Sequence, residues 1–179
     1  MGTLPVPEPA QNVDAEIAAL LEQLPHLEGA EYGTAWAVKS CSTDDYNCLA
    51  WALGDCEQNW SPTLQGGYYW PPEMVVGVPV LSVVTDVFRT QGYAECGDSA
   101  LVPGAEKVAL YADSLREVRH AARQLHNGWW ASKMGDLADI EHAAVDAVEC
   151  ELYGKVAMIL CRPTFPPPRP PEQLRLILP

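Results

Sequence analysis

The chain has 179 residues, 48% hydrophobic and 20% charged, with 11 Lys and Arg against 24 Asp and Glu, for a net charge of −13. That length and balance suit one globular domain able to bury a core. Such an excess of acid repels phosphate backbones and anionic lipid, so neither a nucleic-acid nor a membrane partner is expected.

The start, MGTLPVPEPAQNVDAE, has no basic segment followed by an apolar one, and no run of about 18 apolar residues occurs. A cytoplasmic protein is therefore expected. Six cysteines, at positions 41, 48, 56, 96, 150 and 161, make no CxxC pair. Free thiols are the expectation for such a chain.

Residues 1–12 are Pro-rich and aperiodic and read as a flexible arm. A helix over about 14–24 follows, with Ile17, Leu20, Leu21 and Leu24 on one face, Asn12 or Asp14 as its cap and Pro25 as its end. Residues 34–38 suggest a short strand. The segment DDYNCLAWALG (44–54) reads as a short buried helix. Asp44 or Asp45 is its expected cap, Gly54 its stop, and Cys48 falls in its first turn. Residues 55–79 are too aromatic for a linker and read as a loop along a cleft. A helix over about 80–91 carries Val80, Val83, Val84, Val87 and Phe88 on one face.

Strands are expected over 107–111, 117–125, 129–134 and 155–161. The middle two flank His126-Asn127-Gly128, and Asn-Gly is a strong hairpin signal. The stretch between the last two, GDLADIEHAAVDAVECELYG, reads as a loop with at most a helical turn. Residues 163–179 form a Pro-rich tail of polyproline character, a surface suited to a protein partner. The organisation expected is one domain over 13–162 between two tails. Its class is α+β, with N-terminal helices packed on an antiparallel sheet.

The chemistry-bearing pair is Cys48 and His120. A thiol needs ionisation to act as a nucleophile, and the first turn of a helix favours its anion. A histidine on a packed strand can reach such a thiol as its base. The segments YNCLAWALG, VRHAARQL and GWWASKMG together resemble the papain-like cysteine hydrolases of the NlpC and CHAP type, and also an uncharacterised bacterial domain family. The resemblance spans 44–161. It implies a papain-like fold, Cys48 as nucleophile, His120 as base and a polar residue on or after the next strand to orient the imidazole. For that third position Asp136 comes first and Asp139 second, ahead of Glu141 and His142. The Gln that papain-like peptidases place before the cysteine is missing from 40–45.

Donors for an oxyanion are expected from the Cys48 amide, with Asn47 or Tyr46 beside it. Asn47, Trp51 and Trp70 are the candidates for substrate contact, although Trp51 on a buried helix also suits the core. Ser132 and Lys133 are neighbours on a strand and point to opposite faces, which argues against a Ser-Lys dyad. Lys133 then reads as a surface or carboxylate-pairing residue. The cysteine spacings fit no zinc pattern, and no cofactor is expected. The functional expectation is thiol-dependent hydrolysis or acyl transfer on an amide bond, with a peptide or protein substrate. The alternatives are a non-catalytic binding domain of the same fold, and a delivered effector using the same chemistry.

Overall fold

The computed structural model describes residues 8–63 and 65–164. Most of the N-terminal arm, and all of the Pro-rich tail after Thr164, lie outside the described residues.

Helix α1 spans Val13–Gln23, and the Asn12 side chain accepts from the Ala15 amide as its cap. Its apolar stripe buries Leu20, and Leu24 follows into the same cluster. Strand β1 is Trp36–Val38, helix α2 is Cys48–Leu53 and helix α3 is Leu81–Thr90. The strands that follow are β2 (Ala94–Glu95), β3 (Ala105–Ala112), β4 (Val118–Gln124), β5 (Trp130–Lys133), β6 (Asp139–His142) and β7 (Lys155–Pro163).

The strands form one seven-stranded antiparallel sheet in the order β1-β6-β5-β4-β3-β7-β2, so the class is α+β as expected. The β4–β5 hairpin turns at Asn127-Gly128, where Gly128 takes φ 89°. Strand alternation sends successive residues to two clusters. Ala109, Tyr111, Ala122 and Ile140 pack with α1, while Val108, Leu110, Ala121 and Leu160 pack with α2 and α3.

Three expectations need correction. The α2 cap is Asn47 rather than Asp44 or Asp45, and its side chain accepts from the Ala50 amide at 3.1 Å. Residues 139–142, read as a loop, form β6 between β1 and β5. A two-residue edge strand, β2, lies in a segment with no strand signal. The Gly54 stop does appear, as a left-handed residue with φ 83°.

Candidate active site

Helix α2 is short, six residues long, and its sequence leaves little choice of placement. Leu49, Ala50, Trp51 and Ala52 are all buried, so the helix lies pressed against the sheet. Leu49 and Ala52 join the cluster around Ala121, with Cys48 packed at its margin. Asn47 fixes the entry. Its Oδ1 accepts from Ala50 and from the Trp60 amide at 3.3 Å, and its Nδ2 donates to the Trp60 carbonyl at 2.7 Å. This is the role the structure gives Asn47, a residue expected to contact substrate. Its amide is occupied in tying the aromatic loop to the helix start.

Cys48 is a half-buried residue at the first helical position. Burial pushes its pKa up, against the opposing pull of the Ala121, Leu49 and Cys48 amides and of Lys133. Those amides face the sulfur and favour its anion, but desolvation outweighs them. The resting group is therefore a thiol, not the thiolate that a helix start alone suggests.

His120 has no exposed surface. Its ring sits between those of Tyr111 and Tyr153, with centroids 5.2 and 4.9 Å away. Nε2 lies 3.0 Å from Ser132 Oγ, which in turn lies 2.9 Å from His142 Nε2. His142 Nδ1 stands 2.7 Å from the Ala144 carbonyl oxygen. That last contact settles the direction of the whole chain. A carbonyl only accepts, so His142 donates from Nδ1 and, being neutral, accepts at Nε2. The hydroxyl of Ser132 supplies that proton and accepts the Nε2–H of His120. His120 is left with a bare Nδ1 that is buried and has no hydrogen-bond partner. Desolvation, with the neighbouring His142, lowers the His120 pKa to about 3, and desolvation lowers that of His142 to about 4, so both rings are neutral near pH 7.

Cys48 and His120 thus approach through the backbone. The Ala121 amide that faces the sulfur belongs to the peptide directly after His120. Neither ring nitrogen is hydrogen-bonded to the sulfur, because Nε2 is on Ser132 and Nδ1 has no partner.

The acids read as orienting groups do not hold the imidazole. Asp136 is exposed in the β5–β6 turn. Asp139 is buried, but it accepts the Tyr46 hydroxyl at 2.7 Å, and its amide donates to Ser40 Oγ at 2.8 Å. Ser132 occupies the position expected of Asp136 or Asp139. Lys133, read as a surface or carboxylate-pairing residue, is buried instead, with Asp139 near it but not in an ion-pair contact. Its Nζ donates to the Thr43 carbonyl at 2.6 Å and to that of Leu137, and it lies 5.3 Å from the centroid of the Tyr46 ring.

Trp51 is core, stacked on Tyr46 and covered by the Arg123 guanidinium at 3.8 Å. Trp70 is buried too and donates to the Val75 carbonyl at 3.0 Å, so it fills the underside of the loop. Ser132 is the member that sequence reasoning missed, and His142, ranked behind the two acids, meets the ring only through it. The one available signal was the position of Ser132 on the partner strand of the Asn-Gly hairpin, where register places Ser132 opposite Ala122.

A family described as a domain of unknown function (DUF7689) matches residues 37–161. That span holds α2 and every member of the chain from Cys48 to Ala144. No curated protein and no solved structure matches the sequence.

Proposed function

The chain belongs to the DUF7689 family, and from that premise we propose that it is a cysteine-dependent hydrolase or acyl transferase acting on an amide bond, with a papain-like arrangement of the NlpC and CHAP type. The observation that carries this reading is the bare, buried Nδ1 of His120, whose other nitrogen is fixed by Ser132. A nucleophile–base pair needs one ring nitrogen held and the other free. Cys48, at a helix start beside the following peptide, supplies the nucleophile.

Both groups are neutral at rest, so His120 acts as a general base rather than as half of a preformed ion pair. The step requires Nδ1 to come within hydrogen-bond reach of the sulfur, a contact absent at rest; the sulfur then attacks the substrate carbonyl as the thiol proton passes to Nδ1. Ser132 keeps the Nε2 proton in place while the ring is charged. The imidazolium then returns its proton to the leaving amine as the C–N bond breaks. Water or a second amine attacks the thioester, again deprotonated by Nδ1, and the thiol is restored. The amide of Cys48 lacks an intrahelical partner and is a donor for the developing oxyanion.

The test uses p-nitrophenyl acetate as an acyl donor. The native chain should release a stoichiometric burst of p-nitrophenolate and carry acetyl on the Cys48 peptide. Cys48→Ala and His120→Ala should each abolish the burst. Acetyl spread evenly over the six cysteines, or a burst surviving His120→Ala, overturns the reading.

A second reading is favoured by one observation. His120, Ser132 and His142 have no exposed surface, and the cavities of ≈360 and ≈190 Å³ flanking Arg123 border neither His120 nor Cys48. On that reading the same side-chain relay is a strut of a non-catalytic binding domain, and no burst occurs.

A further inference from the structure

In a chain with only 11 basic residues, three of them converge on one cavity. It measures ≈360 Å³ and lies beside the C-terminal end of α2. Leu53, Glu106, Lys107, Arg123, His126 and Arg162 line it. Two of the three cations are already matched. Lys107 pairs with Asp98 at 3.1 Å and bonds its carbonyl at 2.8 Å. Arg162 grips Glu106 through Nε at 2.8 Å and Nη2 at 2.7 Å, and lies over the Tyr93 ring.

Arg123 is different. Its guanidinium is largely buried over Trp51, and its Nε is buried without a hydrogen-bond partner. Among the described residues it makes neither an ion pair nor a side-chain hydrogen bond, in contrast to Lys107 and Arg162. Buried charges are ordinarily paired, and an arginine fork is shaped to take two oxygens at once.

We propose that this cavity binds a small organic carboxylate, gripped by the guanidinium of Arg123. With Lys107 and Arg162 each facing a carboxylate of the chain, Arg123 is the cation left without a contact partner among the described residues, its nearest acids Asp139 and Glu106 acting on it only through space. That favours a monoanion over a phosphate dianion. The walls beyond the cations include Ala52, Leu53 and Leu125, which suit a short apolar tail. The volume lies in the range of small-molecule sites. Glu106 stands across the cavity as a competing anion.

The test is a titration of the ¹⁵N-labelled full chain with hexanoate, and separately with inorganic phosphate, at constant ionic strength. The readout is the Arg123 Nε–H cross-peak, assigned by its loss in Arg123→Lys. Hexanoate should shift it saturably, and phosphate should bind at least about tenfold more weakly. Followed on neighbouring backbone amides, Arg123→Lys should weaken hexanoate about tenfold, because the two-oxygen grip is lost. Glu106→Gln should tighten it and enlarge the shift of the Arg123 Nε–H peak; because the change also frees Arg162, tightening without movement of that peak counts against Arg123 as the grip. No saturable shift with hexanoate, phosphate binding as tightly as hexanoate, or unchanged affinity in Glu106→Gln each overturns the proposal. The last of these decides the matter even where Arg123→Lys fails to fold.

Discussion

Ser132 Oγ lies 3.0 Å from Nε2 of His120, and that contact decides which imidazole nitrogen is bare. Ser132→Ala leaves His120 and His142 with unpaired Nε2 atoms in a buried site. An unsatisfied buried polar group costs about 1–3 kcal/mol, so a loss of that order is expected in urea unfolding. The acetyl transfer from p-nitrophenyl acetate should fall with it. A variant as stable as the native chain means the hydroxyl bridge contributes nothing.

Acid should unfold the protein through the same pair. Both histidines have folded pKa values below the unfolded value near 6.5, at about 3 for His120 and about 4 for His142. The unfolded chain therefore binds more protons below pH 6.5. The stabilising contribution is full above pH 6.5 and is lost as pH falls, by about 1.4 kcal/mol per pH unit for each ring, down to about pH 4 for His142 and about pH 3 for His120. Burial raises the Asp139 carboxyl and opposes part of this loss. Urea midpoints between pH 7 and pH 4.5 should fall steadily, and His142→Asn should flatten the slope. A flat native profile contradicts the assignment.

Alkylation should separate thiol acidity from catalysis. Burial raises the Cys48 pKa, so iodoacetamide at pH 6 should not label it ahead of the other five cysteines. Labelling should climb as pH rises through and beyond the ordinary thiol range. Peptide mass spectrometry reads the order. Fast, pH-independent labelling of Cys48 down to pH 6 reveals a thiolate and refutes the neutral pair.

Lys133→Met tests the buried lysine. The change leaves the Thr43 and Leu137 carbonyls without their donor and leaves Asp139 with Arg123 as its remaining neighbouring cation. Breaking such a buried arrangement from one side costs about 3–5 kcal/mol. A unit-sized change in urea unfolding energy shows instead that solvent replaces the ammonium readily.

Two glycines offer a matched comparison. A Cβ on Gly154, at φ +78°, meets the Ala112 carbonyl oxygen at 2.5 Å, whereas one on Gly92, at φ +84°, meets nothing within 4 Å. Gly92→Ala should cost only its backbone strain, about 1–2 kcal/mol. Gly154→Ala carries that strain plus displacement of β3, and its thermal midpoint should fall further. Equal midpoints show that β3 yields without resistance.

Much of the scaffold was legible in the sequence, because it depends on local signals. Asn12 caps α1, Asn127-Gly128 turns the hairpin, and Gly54 ends α2. The position of Cys48 at a helix start and of His120 on a strand followed from the same patterns. What stayed hidden is the polar interior. The residues of β6, Asp-Ile-Glu-His, show no apolar alternation, since Asp139 and His142 are buried with polar partners, Tyr46 far along the chain and Ser132 on the neighbouring strand. Asp139 meets Tyr46, 93 residues earlier, and Lys133 meets Thr43, 90 residues earlier. Periodicity reports which residues avoid water, not which find a polar mate. For that reason the sequence pattern points to Asp136 and Asp139 as orienting acids and sets Ser132 only beside its neighbour Lys133.

The pairing of β1 with β6 sets Trp36 against His142, and so ties an early strand to a late one. During synthesis residues 140–142 must therefore leave the ribosome before that edge can close. Helix α2 emerges with its apolar underside exposed, since its partners on β4 and β5 are translated some 70 residues later. Contacts of such long reach form slowly and leave greasy surface uncovered meanwhile. The nascent chain is then most in need of chaperone cover in the interval between the exit of α2 and the exit of the hairpin.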